Sequence, residues 1–161
     1  MSQQIDAYLT FTIGENTFGI HVEKVLEIKE YLEPKSVPES LPYIKGVIDH
    51  RDQIIPVIDA AAKFNMGNIS ITPQSCIVVM EVNKSENGDP FSIGVLVDAV
   101  SDVFESDPEK VRKIENDFKP GYINATYKIN ENLVMILDTD KVFNEKDIIA
   151  LDKIMSDFEN E

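Results

Sequence analysis

The chain has 161 residues, 43% hydrophobic and 27% charged, with a formal net charge of −14. That size and balance describe a soluble globular protein that buries its core without staples. The acidity argues against the functions that need a basic surface, neutralising nucleic-acid phosphates or attaching to anionic lipid, and leaves solubility or an acidic face for a basic partner.

Cys76 is the only cysteine, so neither an intramolecular disulfide nor a cysteine-based zinc site can form. The opening MSQQIDAYLTFTIG lacks the basic start and long apolar centre of a secretory signal. No apolar run approaches the ~20 residues of a membrane helix, and a cytoplasmic protein is the simplest account.

In chain order, Leu9, Phe11 and Ile13 alternate with polar residues, Gly14-Glu15-Asn16 supplies turn chemistry, and Phe18, Ile20 and Val22 alternate again. This is a hairpin of half-buried strands. Val22, Val25 and Leu26 then stand at helical spacing for one turn before the chain extends. Pro34, Pro38 and Pro42 make the following segment a loop. A second hairpin runs through 44–48 and 54–58, around the polar knot Asp49-His50-Arg51-Asp52-Gln53. Pro56 cannot donate a ladder hydrogen bond, which predicts an edge strand or a bulge there. Asp59 is placed to cap a short helix over AAAKF.

Residues 65–75 are polar and turn-rich; CIVVMEV and FSIGVLV are strands joined by the long turn NKSENGDP. YINATYKIN and NLVMILD form a third hairpin. At the end, Ile148, Leu151, Met155 and Phe158 fall at helical spacing, with Asn144 as the cap. The terminal ENE reads as a natural end to the chain.

The sequence also repeats itself. At a constant offset of 79, Tyr43 meets Tyr122, Ile44 meets Ile123, Ile54 meets Leu133, Ile58 meets Leu137, Asp59 meets Asp138 and Phe64 meets Phe143. At an offset of 75, Gly19 falls on Gly94, Val22 on Val97 and Val25 on Val100. Shared apolar patterning is common among strands, but repeated glycines, caps and terminal phenylalanines point to duplication. The expectation is a mainly β protein of two similar units, each with about five short strands and a helical turn. Short strands at this spacing favour barrels, with a groove between them for a partner.

Signatures of catalysis are sparse. His21 and His50 belong to no HExxH pattern, and no GxSxG elbow, P-loop or GxGxxG is present. Cys76 opens an apolar strand and reads as a small core residue. Asp49, His50 and Asp52 have the ligand types of a zinc or manganese site. The competing reading is a solvated hairpin turn. The two functions to separate are thus a binding module and a carboxylate- or metal-dependent hydrolase using those three residues.

YLTFTIGENTFGIHVEKVLEI, YIKGVIDHRDQIIPVIDAAAKF and IGVLVDAVSDVFE together resemble the bacterial chemotaxis coupling family of CheW-like domains, from about residue 8 to 155. The resemblance implies one domain over 1–161, made of two intertwined five-stranded SH3-like β-barrels with short helices and a C-terminal helix. It implies a non-enzymatic, cofactor-free adaptor that joins the cytoplasmic tip of a methyl-accepting chemoreceptor to the regulatory domain of a CheA-type histidine kinase. Such a protein would be cytoplasmic and recruited to membrane receptor arrays, with ring assembly among CheW-like domains. Carried over by position, Val25, Glu27 and Arg51 would face the receptor and Ile93 the kinase.

The chain departs from the family at two places. The family's Asn-Leu-Arg-Gly turn reads Asp49-His50-Arg51-Asp52 here, and IDAAAKF lacks the arginine that usually follows the second hairpin. A CheW-like scaffold serving a divergent, non-chemotaxis pathway therefore stays open beside the standard role.

Overall fold

The computed structural model describes residues 6–38, 40–83, 90–113 and 121–159. Its first hairpin pairs β1 (Ala7–Ile13) with β2 (Asn16–His21), in register from Tyr8–His21 to Ile13–Asn16. A single 3-10 turn at Val22–Lys24 follows, where His21 Nδ1 accepts from the Glu23 N–H at 3.2 Å. The chain then extends as β3 (Val25–Glu30). The second hairpin joins β4 (Ile44–His50) to β5 (Gln53–Asp59), and the strands run further into the polar knot than periodicity alone indicates. Asp59 caps α1 (Ala60–Lys63): one carboxylate oxygen accepts from the Ala62 N–H and the other from the Ile69 N–H, both at 3.0 Å.

The second half repeats this plan with β6 (Cys76–Asn83), β7 (Pro90–Val97) and β8 (Ala99–Glu105), then a three-residue β9 (Val111–Lys113) and the hairpin β10 (Ile123–Ile129) and β11 (Asn132–Leu137). Two helices close the chain, α2 (Thr139–Val142) capped by Asp138, and α3 (Glu145–Glu159). The long turn expected at NKSENGDP falls mostly outside the described residues.

The duplication is physical as well as textual. The Asp59 and Asp138 N–H groups, 79 residues apart, each donate to the carbonyl of the matching tyrosine, Tyr43 and Tyr122, at 2.8 Å. The bulge between Ile44 and Gly46 recurs between Ile123 and Ala125. The positive-φ pair Arg51 and Asp52 recurs as Asn130 and Glu131.

What periodicity cannot reveal is that the halves exchange strands. The five-stranded sheet runs β3-β6-β7-β5-β4 and the six-stranded sheet β8-β1-β2-β11-β10-β9. Parallel pairing of β5 with β7, and of β11 with β2, splices one half's hairpin into the other half's sheet. Gly94 and Gly19 sit in those two crossovers, paired with Val57 and Ile136. A Cβ on Gly94 would lie 2.8 Å from Ile77 Cγ2, too close for any other residue without a shift. The main core draws on both halves, from Leu9 to Met155. Phe18, Phe64 and Tyr122 stack in succession across it, with ring centroids 5.5 and 5.0 Å apart. The result is mainly β, with few helices and SH3-like sheets whose edge strands are not laddered to one another.

Two details differ from expectation. β5 is an interior strand despite Pro56. Val47, opposite Pro56, turns both its N–H and its C=O to Lys35, at 2.8 and 2.9 Å. Val47–Pro56 is thus a non-hydrogen-bonded pair, and the proline nitrogen faces β7, where pairing begins only at Val57. The added β9 makes the second sheet one strand wider than the first.

Helix α3 is anchored across the sequence. Asn144 and Asp147 cap each other's backbone N–H groups at 2.8 and 2.9 Å. The Tyr43 hydroxyl donates to Asp147, and Lys63 Nζ stands 3.2 Å from the same carboxylate and over the Tyr43 ring. Burial alone would raise the Asp147 carboxyl, but the Tyr43, Asn144 and Lys63 donors outweigh it and hold the group below the ordinary carboxylate range. Burial, followed by that carboxylate, pushes the Tyr43 phenol far above its usual range.

Candidate functional site

β3 reads VLEIKE, and its backbone settles which side chains face out. It pairs with β6 through a bulge: Val25 opposes Met80, yet Glu27 opposes Val79, so Leu26 is the extra residue. Val25 is half-buried and packs on the main core. Leu26 and Ile28 are 47% and 45% exposed, one on either side of Glu27. Alternation past the bulge sends Ile28 to the face opposite Glu27, while Leu26 stays beside the β4–β5 turn.

The polar knot lies against that edge. His50 and Gln53 close the hairpin, leaving Arg51 and Asp52 as a two-residue turn with φ of 50° and 64°. Positive φ at both positions is what a type I′ hairpin turn requires. Aspartate tolerates it, whereas arginine in this region costs roughly 1–2 kcal/mol. The same backbone recurs at Asn130 and Glu131, so the strain belongs to the repeated hairpin turn. Arg51 is displayed: its side chain is 76% exposed, and Nε stands 3.7 Å from Glu27 Oε2.

His50 behaves differently. It is 5% exposed, and its Nδ1 lies 3.3 Å from the same Glu27 oxygen and 3.4 Å from Lys29 Nζ. β3 and β4 are the two opposite edges of the five-stranded sheet, so these contacts cross the seam where the sheet curls round on itself. Leu26, His50, Arg51, Gln53 and Ser92 line a shallow depression at this end. The arrangement offers a guanidinium fork, a carboxylate and apolar surface, which is recognition chemistry.

Val25, Glu27 and Arg51 are thus brought to one place, with Val25 contributing from beneath. Ile93 is not surface at all. It is 0% exposed in the interior strand β7, opposite Met80, so its side chain serves the core and cannot meet a kinase directly. The turn preceding β7 lies outside the described residues. The trio Asp49, His50 and Asp52 does not assemble. Asp49 is exposed and precedes the buried His50 along β4, so strand alternation sends the two to opposite faces. Among the described residues no group of three His, Cys, Asp or Glu side chains is arranged to hold a metal ion. Sequence reasoning passed over Leu26 and Ile28; the alternation in VLEIKE carried the signal, but only the bulge shows which face is outward.

Known proteins resemble this chain over most of its length. The family model described as the CheW-like domain matches residues 7–147. The chain is 25% identical over 150 residues to the chemotaxis protein CheW of Klebsiella aerogenes, covering 91% of this chain and 87% of that one. It is 29% identical over 145 residues to the chemotaxis protein CheW of Bacillus subtilis, covering 86% of each. Among solved structures, the scaffolding protein TtCheW of Thermoanaerobacter tengcongensis superposes with a TM-score of 0.77 at 22% identity, over 92% of this chain and 95% of that one. At that identity the likeness speaks for the fold.

Proposed function

We propose, from the premise that this chain belongs to the CheW-like domain family of chemotaxis scaffolds, that it is a non-enzymatic adaptor joining a chemoreceptor's cytoplasmic tip to the regulatory domain of a CheA-type histidine kinase. The observation that carries the receptor half of this reading is the convergence of Glu27, Arg51 and the exposed Leu26 at the turn end of the five-stranded sheet. A guanidinium fork with a neighbouring apolar side chain fits a helical surface that alternates carboxylates with apolar side chains. The kinase-facing surface would lie on the exposed neighbours of β7 rather than on Ile93. The adaptor would work in the cytoplasm, drawn to membrane arrays through its receptor contact; no helix among the described residues is long and apolar enough to span a membrane.

The altered turn supports a second reading, a CheW-like scaffold whose receptor belongs to another pathway. One experiment separates the two. The protein is titrated calorimetrically with hairpin-tip fragments from each chemoreceptor of its own cell. Saturable binding that Arg51→Ala weakens supports the chemotaxis role; no binding by any fragment, with kinase binding intact, favours the divergent one.

A further inference from the structure

We propose that the outer face of β9, β10 and β11, with Lys110, Arg112, Lys128 and Leu133, is a docking surface for an acidic protein segment that presents carboxylates around an apolar side chain. This face belongs to the six-stranded sheet, whereas Arg51 stands on the five-stranded one, so the inference goes beyond the adaptor reading and does not rest on it.

The strand ladders assign the face. Arg112 is paired with Thr126 and Lys128 with Leu133, while Thr126 and Lys128 are alternate residues of β10. All four side chains therefore leave the sheet on the same side. Their neighbours Ala125, Tyr127, Val134 and Ile136 pack into a separate core on the other side. Lys110 ends the 3-10 turn that enters β9 and lines the same shallow depression.

The first observation is charge. The chain is acidic overall, at −14, yet three cations gather here. Elsewhere Lys24, Arg51, Lys63 and Lys141 each stand 3.2 to 3.9 Å from a carboxylate oxygen. Lys110, Arg112 and Lys128 form no such ion pair among the described residues, although Glu109 and Glu131 border the depression. Like charges gathered without a counter-charge repel one another, and an arriving carboxylate relieves that repulsion.

The second observation is that the duplicated first half covers the matching positions with its own chain. Val47 and Ile54, which stand 79 residues before Thr126 and Leu133, are respectively 4% exposed and packed against the main core. The single Lys35–Val47 bridge is the counterpart of the Arg112–Thr126 pair, and there Lys35 Nζ lies 5.9 Å from the centre of the Phe158 ring of α3. In the second half Leu133 is 57% exposed, and Lys110, Arg112 and Lys128 are exposed with it.

The chemistry of the face selects its occupant. A guanidinium gives a carboxylate two parallel bonds, the lysines give compact charges, and Leu133 opposite Lys128 gives an apolar contact. Three cations bordered by two glutamates on a chain of this acidity are too few to hold a nucleic-acid backbone or an anionic bilayer. A protein segment with a few carboxylates and one apolar side chain matches both the charge and the leucine.

The test titrates the isotopically labelled full chain with the capped peptide EEELEEE, followed by backbone amide shifts at about 50 mM salt. QQQLQQQ, EEESEEE and inorganic polyphosphate are titrated beside it. The expected result is saturable shifts gathered on Arg112, Thr126, Lys128 and Leu133, with no binding of QQQLQQQ and about threefold weaker binding of EEESEEE. Arg112→Gln/Lys128→Gln should weaken EEELEEE about tenfold and Leu133→Ser about threefold. Lys45→Gln/Lys153→Gln removes the same charge from exposed positions elsewhere and should keep the wild-type affinity. No saturable binding, shifts centred away from this face, or equal losses in the two double variants overturns the proposal. Polyphosphate that outcompetes the peptide and is indifferent to Leu133→Ser overturns it as well, since the face would then be a general anion site.

Discussion

Replacing Arg51 with glycine separates the two roles of the β4–β5 turn, because it shifts stability and binding in opposite directions. Arg51 holds a φ of 50°, which for a non-glycine residue costs roughly 1–2 kcal/mol. Glycine relieves that strain but raises the entropy of the unfolded chain by about 0.5–1 kcal/mol. The lost ion pair is exposed and 3.7 Å long, so it contributes at most about 0.5 kcal/mol. The net is a gain of about 0.5 kcal/mol, or a rise in Tm of roughly 1–2 °C for a chain of this length. Affinity for the receptor tip, by contrast, should fall by about 2 kcal/mol, near thirtyfold, if Arg51 is a central anchor. Urea denaturation measures the first and calorimetry the second. A destabilisation beyond about 1 kcal/mol would refute the assignment of backbone strain to Arg51. Unchanged affinity would refute the anchor role of Arg51.

Other expectations concern neighbouring parts of the molecule. Leu26→Ser should weaken receptor binding with little change in Tm, since Leu26 is 47% exposed, whereas Val25→Glu should lower both because Val25 packs on the core; binding and melting curves on the pair check this. Gly46→Ala should destabilise by more than about 2 kcal/mol in urea, because φ is 148° and a Cβ there would stand 2.1 Å from the Lys35 carbonyl oxygen. Asp147→Asn should cost about 2–3 kcal/mol near neutral pH by leaving Lys63 and Tyr43 without their charged acceptor. The folded carboxyl of Asp147 is held below its ordinary value of 3.8, so its contribution is fully present above that value and fades as pH falls through the lower folded one. The stability gap between wild type and Asp147→Asn, followed by urea midpoint against pH, should therefore narrow only in acid.

Much of the fold was legible because its devices are local. A capping aspartate, a two-residue turn and an alternating strand each leave their mark within ten residues, and the 79-residue repeat duplicated them. The caps at Asp59 and Asp138, the hairpin ladders and the Asn144 cap all stand where the sequence placed them. Strand exchange between the halves was legible only through the family resemblance, which implies intertwined barrels, and not from the residues, since parallel pairing of β5 with β7 depends on partners chosen at long range. Pro56 misled for a related reason: whether a proline nitrogen disturbs a sheet depends on which neighbour it faces. At the site, Glu27 and Arg51 came from the family resemblance, and their distance of 3.7 Å is new. His50 was weighed as a metal ligand or a solvated turn residue, because nothing in a strand's own sequence reveals that the opposite edge curls round to meet it.

An adaptor of this kind would hold two protein partners at once, which a calorimetric titration against the regulatory domain of its own cell's CheA-type kinase, repeated with the receptor tip already bound, would test. Saturable one-to-one binding is expected in both titrations, with Arg51→Gly leaving the kinase affinity unchanged. No heat of binding at ~100 μM, weaker than about −5.5 kcal/mol, would contradict it.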